Sequence, residues 1–93
     1  MLHPIPGFRV RVFGWSETWR VKPVQEGGGW RFSLVLAPGS AGRTSPPFLP
    51  RTEWEATEIA DGLALIKDEI RARAELAQRR VFLVDEEPED LES

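Results

Sequence analysis

Three stretches in the first 37 residues alternate apolar and polar side chains with a period of two, and this pattern leaves the chain little choice of fold. Residues 8–15 (FRVRVFGW), 18–24 (TWRVKPV) and 30–37 (WRFSLVLA) each read as a strand with one face to bury. Phe8, Val10, Val12, Trp19, Val21, Trp30, Phe32, Leu34 and Leu36 fall on the apolar faces. Arg9, Arg11, Arg20, Lys22 and Arg31 fall on the opposite faces, and in the first run Phe13 and Trp15 share that side. A meander that buries the first set must display five cations together on its outer side. This sorting depends on register, because a slip of one residue exchanges the two faces of a strand.

The connections support a meander. Residues 25–29 (QEGGG) supply the glycines of a hairpin turn. Pro23 has no N–H, so the second strand is expected to stop there or to lie at an edge. Residues 38–50 (PGSAGRTSPPFLP) hold four prolines and two glycines and read as a long loop, with Phe48 and Leu49 as an edge strand or a plug into the core. Thr52-Glu53-Trp54-Glu55 fits a capping box, which predicts a helix starting at 53. Ile59, Leu63, Ile66 and Ile70 then recur at helical spacing, and the pattern runs to about residue 79. Such a helix would be about 40 Å long, against about 17–20 Å for a typical strand. Either Gly62 or a later point breaks it, or its second half meets something other than the sheet.

Residues 81–84 (VFLV) are expected to return as a short final strand or to form a sticky helix end, and residues 85–93, with six acids, to be a disordered tail. The expectation is one compact α+β domain over 1–84, a three- to four-stranded antiparallel meander with one long C-terminal helix on one face.

Composition narrows the function classes. Residues 1–52 carry about +5 and residues 53–93 about −8, within a net charge of −3. The chain has no cysteine and no tyrosine, so thiolate chemistry and cysteine-held zinc are excluded. Its one histidine, His3, lies beside a proline in an irregular lead-in, a poorly anchored place for a catalytic base. Glu58 and Asp61, spaced i,i+3, read as ordinary helix solvation, not as an acid–base pair. Gly27-Gly28-Gly29 lies between two strands, where neither a P-loop nor a dinucleotide fingerprint belongs. No apolar run approaches the ~20 residues of a membrane span, and the first residues lack an export signal, so the expected location is the cytoplasm. No enzyme, cofactor or metal site is expected.

Two binding readings remain. The apolar stripe has the 4-3-4 spacing of a helix seam, and its excess length makes Ile66, Ile70, Arg73, Leu76, Val81 and Phe82 the expected surface for another protein or for a second copy of the chain. On this reading the protein is a small intracellular adaptor or accessory subunit. The alternative uses the cationic face: Arg9, Arg11, Arg20, Lys22 and Arg31 would track phosphates of single-stranded nucleic acid, with Phe13 and Trp15 stacking on bases. The layout of a few strands followed by one long helix is similar to the Pur-repeat class of single-strand binders and to the three-strand-plus-helix DNA-binding domains of phage integrases. That resemblance is one of topology, and no family residues are carried over from it.

Overall fold

The structure, a computed structural model, describes residues 6–86. Its elements are β1 (Gly7–Val12), β2 (Thr18–Glu26), β3 (Gly29–Leu36), β4 (Glu53–Ala56), α1 (Ile59–Leu76) and β5 (Val81–Glu86). The strands form one five-stranded sheet in the order β4-β3-β2-β1-β5, with every neighbouring pair antiparallel. One helix packs on it. The fold is α+β as expected; the sheet has one strand more than the upper count of the expected meander, and residues 81–84 do return as its last strand. His3 and residues 87–93 lie outside the described residues. Asp85 and Glu86, placed in the tail by sequence, are strand residues of β5.

The three strand registers hold. Phe8 stands opposite Val21, Val10 opposite Trp19, and Pro23 opposite Phe32, so the apolar sets share the face beneath the helix. Phe8, Val10, Trp19, Val21 and Phe32 are fully buried there. The β2–β3 turn is two residues, Gly27 and Gly28, with Gly27 at φ 60°, a left-handed conformation that glycine adopts without strain. Pro23 neither ends β2 nor puts it at an edge: β2 runs through it to Glu26 as the central strand. Val21 directs its carbonyl toward β1, since a Cβ on Gly7 would sit 2.6 Å from that oxygen. Pro23, two residues on, therefore faces the same flank. β1 begins at Gly7, across from Lys22, and asks no hydrogen bond of the proline ring.

Residues 52–55 correct the sequence reading. They form no capping box; Glu53–Ala56 is β4, paired with β3 through Phe32↔Trp54, and Trp54 is buried in the core. The helix starts at Ile59 and has 18 residues, about 27 Å, which a five-stranded sheet can cover. Gly62 does not break it. That residue lies inside α1 where the helix touches the sheet, and a Cβ there would come closer than 3.0 Å to the Phe32 ring. The buried stripe is Gly62, Ile66, Ile70 and Ala74, so the last contact is Ala74 and Arg73 turns outward.

The loop after β3 is a plug, not an edge strand. Pro46 and Leu49 are buried, and Phe48 packs against the core cluster. Glu17 holds the loop: the Arg43 guanidinium donates to both of its carboxylate oxygens at 2.6 and 3.0 Å, and the Arg43 backbone N–H donates at 3.0 Å. Trp19 Nε1–H donates to the Arg43 carbonyl at 3.0 Å, and Ser40 Oγ accepts from the Thr18 N–H at 2.9 Å. This arrangement holds the Glu17 carboxyl well below its usual range, at about 2, chiefly through the Arg43 side-chain hydrogen bonds.

Candidate binding surface

With α1 on one side, the other side of the sheet is open. Register lays it out in rows running from β5 across to β4. Phe82 and Arg11 form one row, Val84, Arg9, Arg20 and Val35 the next, then Glu86, Gly7, Lys22, Ser33 and Glu53, and finally Val24, Arg31 and Glu55. The five cations expected on this face are all there. Four apolar side chains accompany them: Val24, Val35, Phe82 and Val84 are 50%, 42%, 44% and 56% exposed. Singly exposed apolar residues mean little, but four on one uncovered sheet face form a surface with something to gain from burial.

The charge on this face is largely matched within it. Arg20 donates to both Glu86 oxygens at 3.1 and 3.0 Å, and Arg9 lies 3.5 Å from the same carboxylate. Arg31 pairs with Glu26 at 3.1 Å and faces Glu55 across the ladder. Among the described residues, Arg11 and Lys22 have no ion-pair partner on the face. The expected band of five cations is thus a mixed face, and the residue that does most to neutralise it is Glu86, in β5 and not in a tail.

The two expected aromatic platforms part company. β1 ends at Val12, and the turn at Gly14 carries Trp15 to the helix side. Trp15 lies edge-on to Trp19 at 6.2 Å and near Phe48 at 6.0 Å, with the Arg43 guanidinium 3.9 Å from its ring centroid and that of Arg79 5.3 Å away. It is therefore no part of the cationic face. Phe13 is 68% exposed, and its N–H donates to the Arg80 carbonyl, so it extends the β1–β5 ladder by one row beside Arg11 and Phe82.

The expected helix surface also divides. Ile66 and Ile70 have no exposed area and belong to the chain's own core, so no partner reaches them. Their whole stripe is used on the sheet because the helix is shorter than the sequence reading made it. Val81 faces Val12 on the helix side and is half-buried. Arg73 and Leu76 are exposed on the last turn of α1, whereas Phe82 is exposed on the opposite, open side of the sheet. Of the exposed valines, the alternation of the third run already puts Val35 outward and residues 81–84 are expected to be sticky, but none of Val24, Val35 and Val84 is among the expected site residues. Their alternation marks them as outward, but a valine in a strand reads as core until the register is known.

These features define a two-layer α+β domain whose sheet is covered on one face only. Comparison with family models, with curated proteins and with solved structures returned no match to this chain. Among the described residues no three His, Cys, Asp or Glu side chains gather in a way that would hold a metal ion. No helix among them is long and apolar enough to cross a membrane.

Proposed function

We propose that this protein is a small non-catalytic binding module, an adaptor or accessory subunit, that engages another protein through the open face of its sheet and the β5 flank. The observation that carries this reading is the makeup of that face: Val24, Val35, Phe82 and Val84 stand exposed among arginines of which three, Arg9, Arg20 and Arg31, are already paired. A surface of apolar side chains and pre-paired charges suits a protein partner, since protein interfaces favour arginine and aromatic residues over unpaired charge. A single-stranded nucleic acid draws on free cations and stacking rings. Here Arg9, Arg20 and Arg31 are engaged by Glu86 and Glu26, and Trp15 points elsewhere. The nucleic-acid reading retains one corner, where Phe13 and Phe82 flank Arg11.

A photoreactive phenylalanine analogue placed in cells at Val35 or at Phe82 tests the reading, with the exposed helix position Glu75 as control. Protein adducts at Val35 and Phe82 but not at Glu75 are expected. Nucleic-acid adducts at Phe82 would support the alternative instead, and no adduct at either face position would overturn the proposal.

A further inference from the structure

We infer that a second copy of this chain pairs with the edge of β5, which no strand covers among the described residues, joining two sheets into one ten-stranded sheet about a two-fold axis at Leu83. The inference rests on the binding-module reading and names a partner for its β5 flank. The hydrogen-bonding parity of β5 comes first. Phe13 N–H donates to the Arg80 carbonyl at 2.8 Å, which makes Phe13 and Arg80 a hydrogen-bonded pair of the β1–β5 ladder. Such pairs recur at every second residue. Phe82, Val84 and Glu86 therefore bond to β1, while Val81, Leu83 and Asp85 turn their N–H and C=O groups out from the sheet.

The two edges of the sheet are unlike. β4 has four residues, and two of its side chains, Glu53 and Glu55, are acids, a composition that resists pairing. β5 has six residues, opens with Val-Phe-Leu-Val, contains neither proline nor lysine, and keeps its two acids to its last two positions. Its helix-side residues are incompletely covered as well. Val81 and Leu83 are only partly buried, whereas their partners on β1, Val12 and Val10, are buried.

The sequence around this edge is self-complementary. Two antiparallel copies centred on Leu83 set Phe82 opposite Val84 of the second copy, twice, on the open face. The same register sets Arg80 opposite Glu86, also twice. Arg80 has no acidic partner among the described residues, and Glu86 is an acid already fixed in place by Arg9 and Arg20. Parity requires the central residue to meet its own copy, and Leu83 has outward-facing amides, so this pairing closes with hydrogen bonds at its centre. Centring on Phe82 instead sets Arg80 against Val84 and needs Arg79, whose N–H is already committed to the Ala74 carbonyl at 2.8 Å. Centring on Val84 sets Phe82 against Glu86. On the open face Leu83 is the one centre that matches apolar with apolar and charge with charge; on the helix side it sets Val81 opposite Asp85, whose carboxylate Lys67 already holds.

Sedimentation equilibrium of the full chain, from low to high micromolar concentration, gives the first readout, with an expected mass of twice 10.5 kDa. Because the chain has no cysteine, single introduced thiols report register. A hydrogen-bonded antiparallel pair sets its Cα atoms about 5.5 Å apart, within the ~4.4–6.8 Å that a disulfide spans. Leu83→Cys should therefore oxidise to a covalent dimer faster than Phe82→Cys or Val84→Cys alone, while a mixture of those two should link to each other. Arg80→Glu, at an exposed residue, should keep the fold and weaken the dimer about tenfold by setting like charges across both symmetric sites. A monomer at every concentration, or fastest linking through Phe82→Cys, would overturn the pairing. A monomer that still forms an adduct with a different protein at Phe82 leaves the binding-module reading intact. A monomer with no adduct overturns both.

Discussion

Gly62 shows how one residue sets the distance between helix and sheet. A Cβ at that position would fall inside 3.0 Å of the Phe32 ring, and Phe32 is fully buried and has nowhere to retreat. Two effects oppose each other in Gly62→Ala. Alanine is the better helix former by about 1 kcal/mol, while forcing a methyl group into a packed core costs about 1–3 kcal/mol. The second should win, because the obstructing atoms belong to a ring wedged between β3 and α1. We expect a net loss of about 1–2 kcal/mol in denaturant unfolding followed by tryptophan fluorescence. A neutral or stabilising result would mean that the helix lifts off Phe32 without penalty. From sequence alone this glycine looks like a break in the helix, because propensity is visible there and the partner across the interface is not.

The loop between β3 and β4 behaves as an element despite having no regular structure. Its anchor, Glu17, is depressed to about 2 from an ordinary 4.5 by Arg43. A carboxylate with a lowered pKa adds stability that is fully present above its ordinary value and is lost as pH falls from about 4.5 toward 2. Loop docking should therefore loosen in that window, seen as a change in the fluorescence of Trp15 and Trp19, which the loop touches through Phe48 and the Arg43 carbonyl. Glu17→Gln should remove this acid step and leave the loop already loosened at neutral pH. An unchanged acid step in that variant would assign it to another carboxylate, with Glu69 first in line, since Arg51 and then Trp54 hold its pKa down at the seam of β4 and α1. The strands β1 to β3 could be read directly, because their alternation admits one register. β4 could not, because Thr52 to Glu55 satisfies a capping box while Glu53 to Ala56 makes a four-residue strand, and only pairing with β3 decides between them. On the candidate surface, the cations on β1 to β3 were readable for the same reason. Trp15 was not, because the turn at Gly14 interrupts the count.

At the scale of the whole molecule, the first strand is completed by the last. β1 lies between β2 and β5, so the N-terminal strand remains a raw edge until Val81–Glu86 arrives. The described residues measure only 17 Å along their shortest axis, two layers deep, so among them no further shell can make up for a missing strand. A chain ending at Gln78 would lose the covering that Val81 and Leu83 give to Val12 and Val10. It would also lose the Glu86 carboxylate from between Arg9 and Arg20, and the Asp85 partner of Lys67. Burying two such side chains even halfway stabilises by about 2–3 kcal/mol, and the six-residue ladder is lost with them. Set against the ~5–15 kcal/mol of a typical small domain, that is a large share. The truncated chain should unfold at a markedly lower guanidinium concentration and tend to associate through the newly exposed edge of β1, where Arg9 and Arg11 alternate with buried valines. If its midpoint matched that of the full chain, β5 would be an appendage rather than part of the fold. The pairing of two copies through Leu83 would then lose its footing, because a strand that does not stabilise its own sheet cannot hold a second sheet in register.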